Sequence, residues 1–185
     1  MGLEGIWWDI VYKKDSRGRE EIVYTSKKHN TIMTKVTRLI AGLFKNDTNM
    51  PAGIKYHALG TGLIAWDSVV TPPSPPLSNE YLEAEYYRQE VLPAYIDYID
   101  GAGSPFSPTG TPGVDYVVQP RVRLKTTFDY GDANGEWIRE QAIFGGDATS
   151  SLDSGHIINI IRHPRIRKES NIKIDRYIQF NITLT

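Results

Sequence analysis

Apolar residues open the chain at every second position, with Ile6, Trp8, Ile10 and Tyr12 alternating with more polar neighbours. That is the period of a half-buried strand. Asp15 to Arg19 (DSRGR) is a turn signal, and the extended pattern resumes at Glu21-Ile22-Val23-Tyr24. Together these segments predict a β-hairpin over about residues 5–27. The period then changes. Ile32, Val36, Leu39, Ile40 and Leu43 recur at helical spacing, with Asn30 or Thr31 available as N-cap. They predict one amphipathic α-helix over about residues 31–45, ended by NDTNMPAG.

Beyond the helix the pattern returns to strands. Tyr56 to Gly60 reads as a short strand running into Gly60-Thr61-Gly62. The link over 71–79, with Pro72, Pro73, Pro75 and Pro76, is too proline-rich for helix or central strand and predicts an extended crossover. Residues 81–99 mix helix formers with tyrosines and are read as strand. Residues 101–113 form a Gly/Ser/Pro loop expected to be mobile when unbound. Val122, Leu124 and Phe128 share one strand face, and Arg121, Arg123 and Lys125 share the other. Asn134-Gly135 suits a turn with positive φ, two strands follow, and Ile172 to Leu184 alternate cleanly to the end. The expectation is a mainly β fold: a single domain over 1–185 built as an antiparallel β-sandwich with one helix packed against it.

Composition narrows the function classes. Lys plus Arg number 21 against 22 Asp plus Glu, a balance that argues against a strongly electrostatic nucleic-acid binder. The absence of cysteine removes disulfides, thiol catalysis and Cys-ligated zinc. The N-terminal stretch carries Glu4 and Asp9 and does not read as a signal peptide, and no apolar run is long enough to span a bilayer. A soluble intracellular product without membrane insertion is expected.

Each chemical motif has a plain structural alternative. Gly60-x-Gly62-x-x-Ala65 has the spacing of a phosphate-cradling loop, but the prolines leave no room for the helix that a dinucleotide fold needs. His156 and His163 stand seven apart and would face opposite sides of a regular strand, so a metal site is not expected. His29 and His57 could meet a metal only through tertiary folding. Glu80, Glu83, Glu85 and Glu90 could supply a glycosidase's carboxylates, yet Arg88 lies among them as a partner and a solvated acidic face is the simpler reading. The basic runs Arg121–Lys125 and Arg162–Lys168 lack the interleaved aromatics of base-stacking surfaces. They read as outer sheet faces or subunit contacts. Five tyrosines, Tyr81, Tyr86, Tyr87, Tyr95 and Tyr98, fit either an interface or plain strand propensity. No catalytic residue, cofactor or metal ligand is assigned.

The order of segments carries more than any one motif. A helix is followed by a strand ending in ALGTG, a Pro-rich link, Leu82-x-x-Glu85-x-x-Arg88-x-x-Val91, an NGEW turn into REQAIFGG and an alternating terminal strand. Over about residues 28–184 this resembles a family of bacteriophage tail and fibre-associated structural proteins, with ALGxG, LxxExxR and ExxxFG elements in that order. Two departures are visible: the link and the 101–113 loop are long, and Ala142 stands where a glycine is common. The resemblance implies a virion tail component, in the baseplate, a fibre adaptor, the collar or the tail tip. Such a protein is made in the bacterial host cytoplasm and acts by assembly with other tail proteins and copies of itself. It implies no enzyme, cofactor or nucleic-acid partner. Contacts are expected at the 71–79 link, the 101–113 loop and the N-terminal hairpin with an exposed Trp7. The alternatives are a carbohydrate-binding β-sandwich for host-surface glycans, stacking sugars on the tyrosines and on Trp66 and Trp137, and a glycoside hydrolase using the Glu80–Glu90 cluster, with Glu83 and Glu85 as the residues to test.

Overall fold

The computed structural model describes residues 2–45, 53–106 and 121–183. The chain is mainly β, with one antiparallel sheet and a single α-helix among the described residues. The strands are β1 (Gly2–Lys14), β2 (Glu20–Ile32), β3 (Ile54–Gly60), β4 (Glu85–Glu90), β5 (Ile96–Ile99), β6 (Pro105–Phe106), β7 (Arg121–Phe128), β8 (Trp137–Gly145), β9 (His156–Arg167) and β10 (Ile172–Thr183). Helix α1 spans Val36–Lys45. The ten strands run in the order β4-β3-β8-β9-β2-β1-β10-β7-β5-β6.

Rather than two separate sheets, one continuous sheet folds over on itself. Its halves share their cores: Trp7, Leu124 and Ile178 of one half pack with Ile143, Ile158 and Ile161 of the other. Deeper along the strands, Val11, Phe128 and Ile174 meet Leu59 and Ile138 in the same way. Among the described residues, the two halves are joined where the end of β2 meets β9, at Thr31↔Ile160 and Ile32↔Asn159, with the Met33 N–H donating to the Ile158 carbonyl at 2.9 Å. A third cluster, with Ala58, Ala142, Phe144, Ile157 and Ile160, lies on the opposite face of β3, β8 and β9 and is capped by Met33, Leu82 and Ala148.

Several expectations need correction. The hairpin is longer than 5–27, because β1 is held by β10 and β2 continues to the β9 junction. For the same reason the helix begins at Val36 instead of residue 31: residues 31 and 32 are strand, and the first helical turn is set by Thr34. Leu39 faces the core, but Leu43 and Phe44 are exposed. The core face of β1 is the reverse of the one its apolar residues suggest. Trp7, Asp9 and Val11 are buried, whereas Ile6, Trp8, Ile10 and Tyr12 lie on the outer face. Trp7 is 1% exposed and offers no contact surface. The strand expected over 81–99 is two strands, β4 and β5, separated by a short turn at Pro93–Tyr95. The turn before β8 takes positive φ at Ala133 and Gly135. Most of the expected 101–113 loop, from residue 107 onward, lies outside the described residues, as does Leu184.

Candidate interaction surface

The glycine turn at the end of β3 is a structural clamp. Gly60 lies in a central strand between β4 and β8, and a Cβ there would come within 2.6 Å of the Glu140 side chain. That closeness lets the Glu140 carboxylate accept the Ala84 N–H at 3.0 Å, while the Thr61 N–H donates to the Ala84 carbonyl at 2.9 Å. Gly62 has φ +56°, and a Cβ would lie 2.3 Å from the Trp66 ring, so both the backbone and the packing require glycine. The chain then enters a short 3-10 turn, Ile64–Ser68, and no dinucleotide-type helix.

This turn is locked from beneath. Arg139 on β8 forms a bidentate pair with Asp67, Nε to Oδ1 at 2.9 Å and Nη2 to Oδ2 at 2.7 Å, and donates to the Thr61 carbonyl at 2.9 Å. Arg165 adds a bond to Asp67 Oδ2 at 2.9 Å. The Arg139 hydrogen bonds, with Arg165 beside them, hold the Asp67 carboxyl down at about 2. Trp66 is buried, with the Arg162 guanidinium 4.3 Å from its ring. The result is a pinned loop that presents Leu63, Ile64, Val69 and Val70 to solvent, with Ile64 79% and Val70 94% exposed.

The residues singled out in the sequence are mostly dispersed into structural roles. Glu85 forms a buried bidentate pair with Arg88, Glu80 pairs with Lys35 at 3.0 Å, and Glu83 lies 3.7 Å from Arg162. The acidic stretch therefore does not converge on one point. His29 pairs with Glu4 and His156 with Asp147. Regular alternation breaks on β9 between His156 and His163, so they do not face opposite sides as expected. Ile157 and Ile160 share one cluster and Ile158 and Ile161 another, which requires the register shift seen opposite Ile143 and Phe144. Even so, among the described residues no group of three or more His, Asp or Glu could hold a metal ion. Of the run Arg162–Lys168, Lys168 is fully buried and donates to the Asp129 carbonyl and Asn134, while Arg165 serves Asp67. The sugar-stacking candidates are occupied as well: Trp66 is buried, and Arg165 and Arg167 lie 4.6 and 5.5 Å from the Trp137 ring. Tyr86 and Tyr87 hydrogen-bond Ala133 and Asp132 across to the β7–β8 turn, whereas Tyr81, Tyr95 and Tyr98 are exposed. In the proline link, Pro72 and Pro75 are buried, and the Leu77 carbonyl accepts both the N–H and hydroxyl of Thr34.

One surface was invisible in the sequence. On the outer face of β2, β1, β10 and β7, Trp8 stacks on Tyr177 with centroids 5.1 Å apart and planes at 4°. Arg123 lies 5.2 Å and Lys27 6.0 Å from the Trp8 ring. The aromatics missing from the Arg121–Lys125 run are thus supplied by strands distant in sequence. Arg123 is itself committed to Gln179 Oε1 at 2.8 and 3.2 Å, which makes the row a supported sheet face.

Between the two halves lies a buried polar layer. His57 takes a hydrogen bond from the Thr126 hydroxyl at 2.9 Å and donates to Gln141 Oε1 at 2.6 Å, crossing from β3 to β7 and β8. His163 donates through Nδ1 to the Pro164 carbonyl at 2.8 Å and accepts from Arg176 at 3.2 Å. Burial, reinforced by the Arg176 charge, pushes both histidines down to about 3. Burial pushes Asp9 up to about 6 against the pull of Arg176, and Glu140 up to about 7 against the Ala84 N–H. The signs oppose one another. The histidines stabilise the fold above their ordinary value of 6.5, and that contribution is lost as pH falls towards 3. The two carboxyls favour the fold at low pH, and their contribution is lost as pH rises through 6 to 7. The denaturant midpoint should therefore change little between about pH 6 and 4.5, then fall steeply below about pH 4, where the carboxyls no longer differ between states. A midpoint that declines steadily from pH 6.5 would contradict this balance.

Among the described residues no helix is long and apolar enough to cross a membrane. No family model, curated protein or solved structure matches this chain.

Proposed function

We propose that this chain is a structural subunit of a bacteriophage tail, made in the bacterial host cytoplasm and incorporated into the virion, acting by protein–protein assembly and not by catalysis. Its partners are other tail proteins and further copies of itself. The observation that carries this reading is the pinned loop over 61–70. A double arginine clamp on Asp67 fixes its backbone, yet Ile64 and Val70 project almost fully into water. Exposed aliphatics cost little singly, but a rigid group of them marks a surface that meets another protein. A pre-ordered loop also loses little entropy on docking. The order of the ALGTG, LxxExxR and ExxxFG segments supplies the tail context. The glycan reading loses its tryptophan platforms, since Trp66 is buried and Trp137 lies under two arginines, and of its tyrosines retains the exposed Tyr81, Tyr95 and Tyr98. The hydrolase reading loses its pair, since Glu85 is spent on Arg88.

The test is the double variant I64E/V70E. Surface substitutions of this kind change stability by only about 0.5 kcal/mol, so its circular dichroism and melting should match the parent. Incorporation into tail particles should be lost. The reading is overturned if the parent chain never associates with particles, or if the variant incorporates equally well.

A further inference from the structure

Among the described residues, one edge of β2 is open over most of its length. β2 pairs with β1 from Glu20 to Asn30, but on its other side it meets β9 only at Thr31 and Ile32. Over about ten residues its outward backbone N–H and C=O groups face no strand among the described residues, and Ile22 and Val23 on this edge are 59% and 48% exposed. An open edge with apolar side chains is a template for another strand. The sequence along the edge says which one. Glu20 and Glu21 begin it, Lys27, Lys28 and His29 end it, and Val23-Tyr24-Thr25 lies between. A parallel partner of the same sequence would set like charges side by side. An antiparallel copy brings the acidic end of each strand beside the basic end of the other.

We propose that β2 pairs antiparallel with β2 of a second copy of this chain, about a twofold axis near Tyr24, joining the two sheets into one. The inference rests on the assembly reading above and names one of its partners. Such a contact is isologous and therefore closed at two copies. The register shift opposite Val11 and Tyr12 leaves Val23 as an extra residue, and the added twist of a bulge confines the pairing to a short stretch. Glu20 is already bonded to Lys173 at 2.6 Å, and the bulge puts Lys27 on the opposite face from Glu21, so Glu21 and Lys28, which share the face of Tyr24, are the charges that the partner reads.

The experiment uses E21K and K28E in the full chain, with mass measured by light scattering across a dilution series. The parent should be a dimer, and each variant should dimerise at least about tenfold more weakly, because two like-charge contacts replace two opposite ones. Mixing the two variants should restore the dimer as a heterodimer, since opposite charges then face each other again across the axis. That rescue cannot come from misfolding of either chain. A parent that stays monomeric throughout, or variants that dimerise as well as the parent, overturn the inference. Particle incorporation separates the two readings: variants that lose dimerisation but still enter particles leave the tail reading intact, whereas a β2 dimer that never joins particles refutes the tail reading alone.

Discussion

Replacing Arg88 by alanine should destabilise the fold by about 3–5 kcal/mol, the cost of stripping one partner from a buried ion pair. The Arg88 side chain is 2% exposed and that of Glu85 is fully buried. Nε and Nη2 grip the two carboxylate oxygens at 2.6 and 2.8 Å, and Nη1 donates to the Thr149 carbonyl at 2.7 Å and the Ser154 hydroxyl at 2.9 Å. The guanidinium also lies 4.8 Å from the Phe144 ring and 5.5 Å from that of Tyr56. Alanine leaves the buried Glu85 carboxylate without its counter-charge, and it removes the Arg88 bonds that hold the 149–154 loop. Lysine should rescue little, because a point charge cannot reproduce the planar fork. Urea midpoints of R88A and R88K check this, and a loss below about 1 kcal/mol for R88A would show that the loop is held by other means.

The second large effect is expected at Asp9 and Arg176, both fully buried. Arg176 Nε lies 3.1 Å from Asp9 Oδ1, but the alignment is too poor for a hydrogen bond, and neither carboxylate oxygen has any other hydrogen-bond partner. D9A at pH 7 should therefore cost about 3–5 kcal/mol by leaving the guanidinium without its counter-charge. The cost should grow at pH 5, because burial pushes Asp9 up to about 6, so the parent gains stability by protonating it in the folded state and the alanine variant cannot. The apolar pair D9L/R176M should fold at least as stably as the parent, because the charges repay their desolvation poorly. If D9A is neutral at pH 7, or D9L/R176M is as damaged as D9A, this account of the pair is wrong.

The same pair shows where the sequence stops being readable. Alternation located the strands, since apolar residues at period two must bury one face. It picked the wrong face of β1 because Ile6, Trp8, Ile10 and Tyr12 are the more regular apolar set, while the true core face carries Gly5 and Asp9. Asp9 is tolerated there only because Arg176 arrives opposite it on β10, a pairing that no local window contains. The Trp8–Tyr177 row was hidden for the same reason: its members meet across strands. The helix start was misread because a pairing of two residues with β9 outweighed helical periodicity at Thr31 and Ile32. By contrast, the Leu82-x-x-Glu85-x-x-Arg88-x-x-Val91 pattern was legible as a unit, and its members divide the work between them. Leu82 and Val91 fill two different clusters, and Glu85 and Arg88 form the buried pair. The clamp around Asp67 was the least accessible part, since Arg139 and Arg165 come from two strands far along the chain.

The sheet order also dictates a schedule. β1 and β10 are neighbours, with Gly2 opposite Thr183, so the strand made first waits for one of the last before its second edge is covered. At about 5–20 residues per second, that wait on the ribosome is on the order of ten seconds or more. The halves are interleaved along the chain too: β3 and β4, then β8 and β9, belong to one, and the intervening β5 to β7 to the other. Neither half can be completed before the other is nearly made. Long-range pairings of this kind slow folding. A growing chain therefore exposes unfinished strand edges, the features that pair most readily with another chain, until β10 closes against β1.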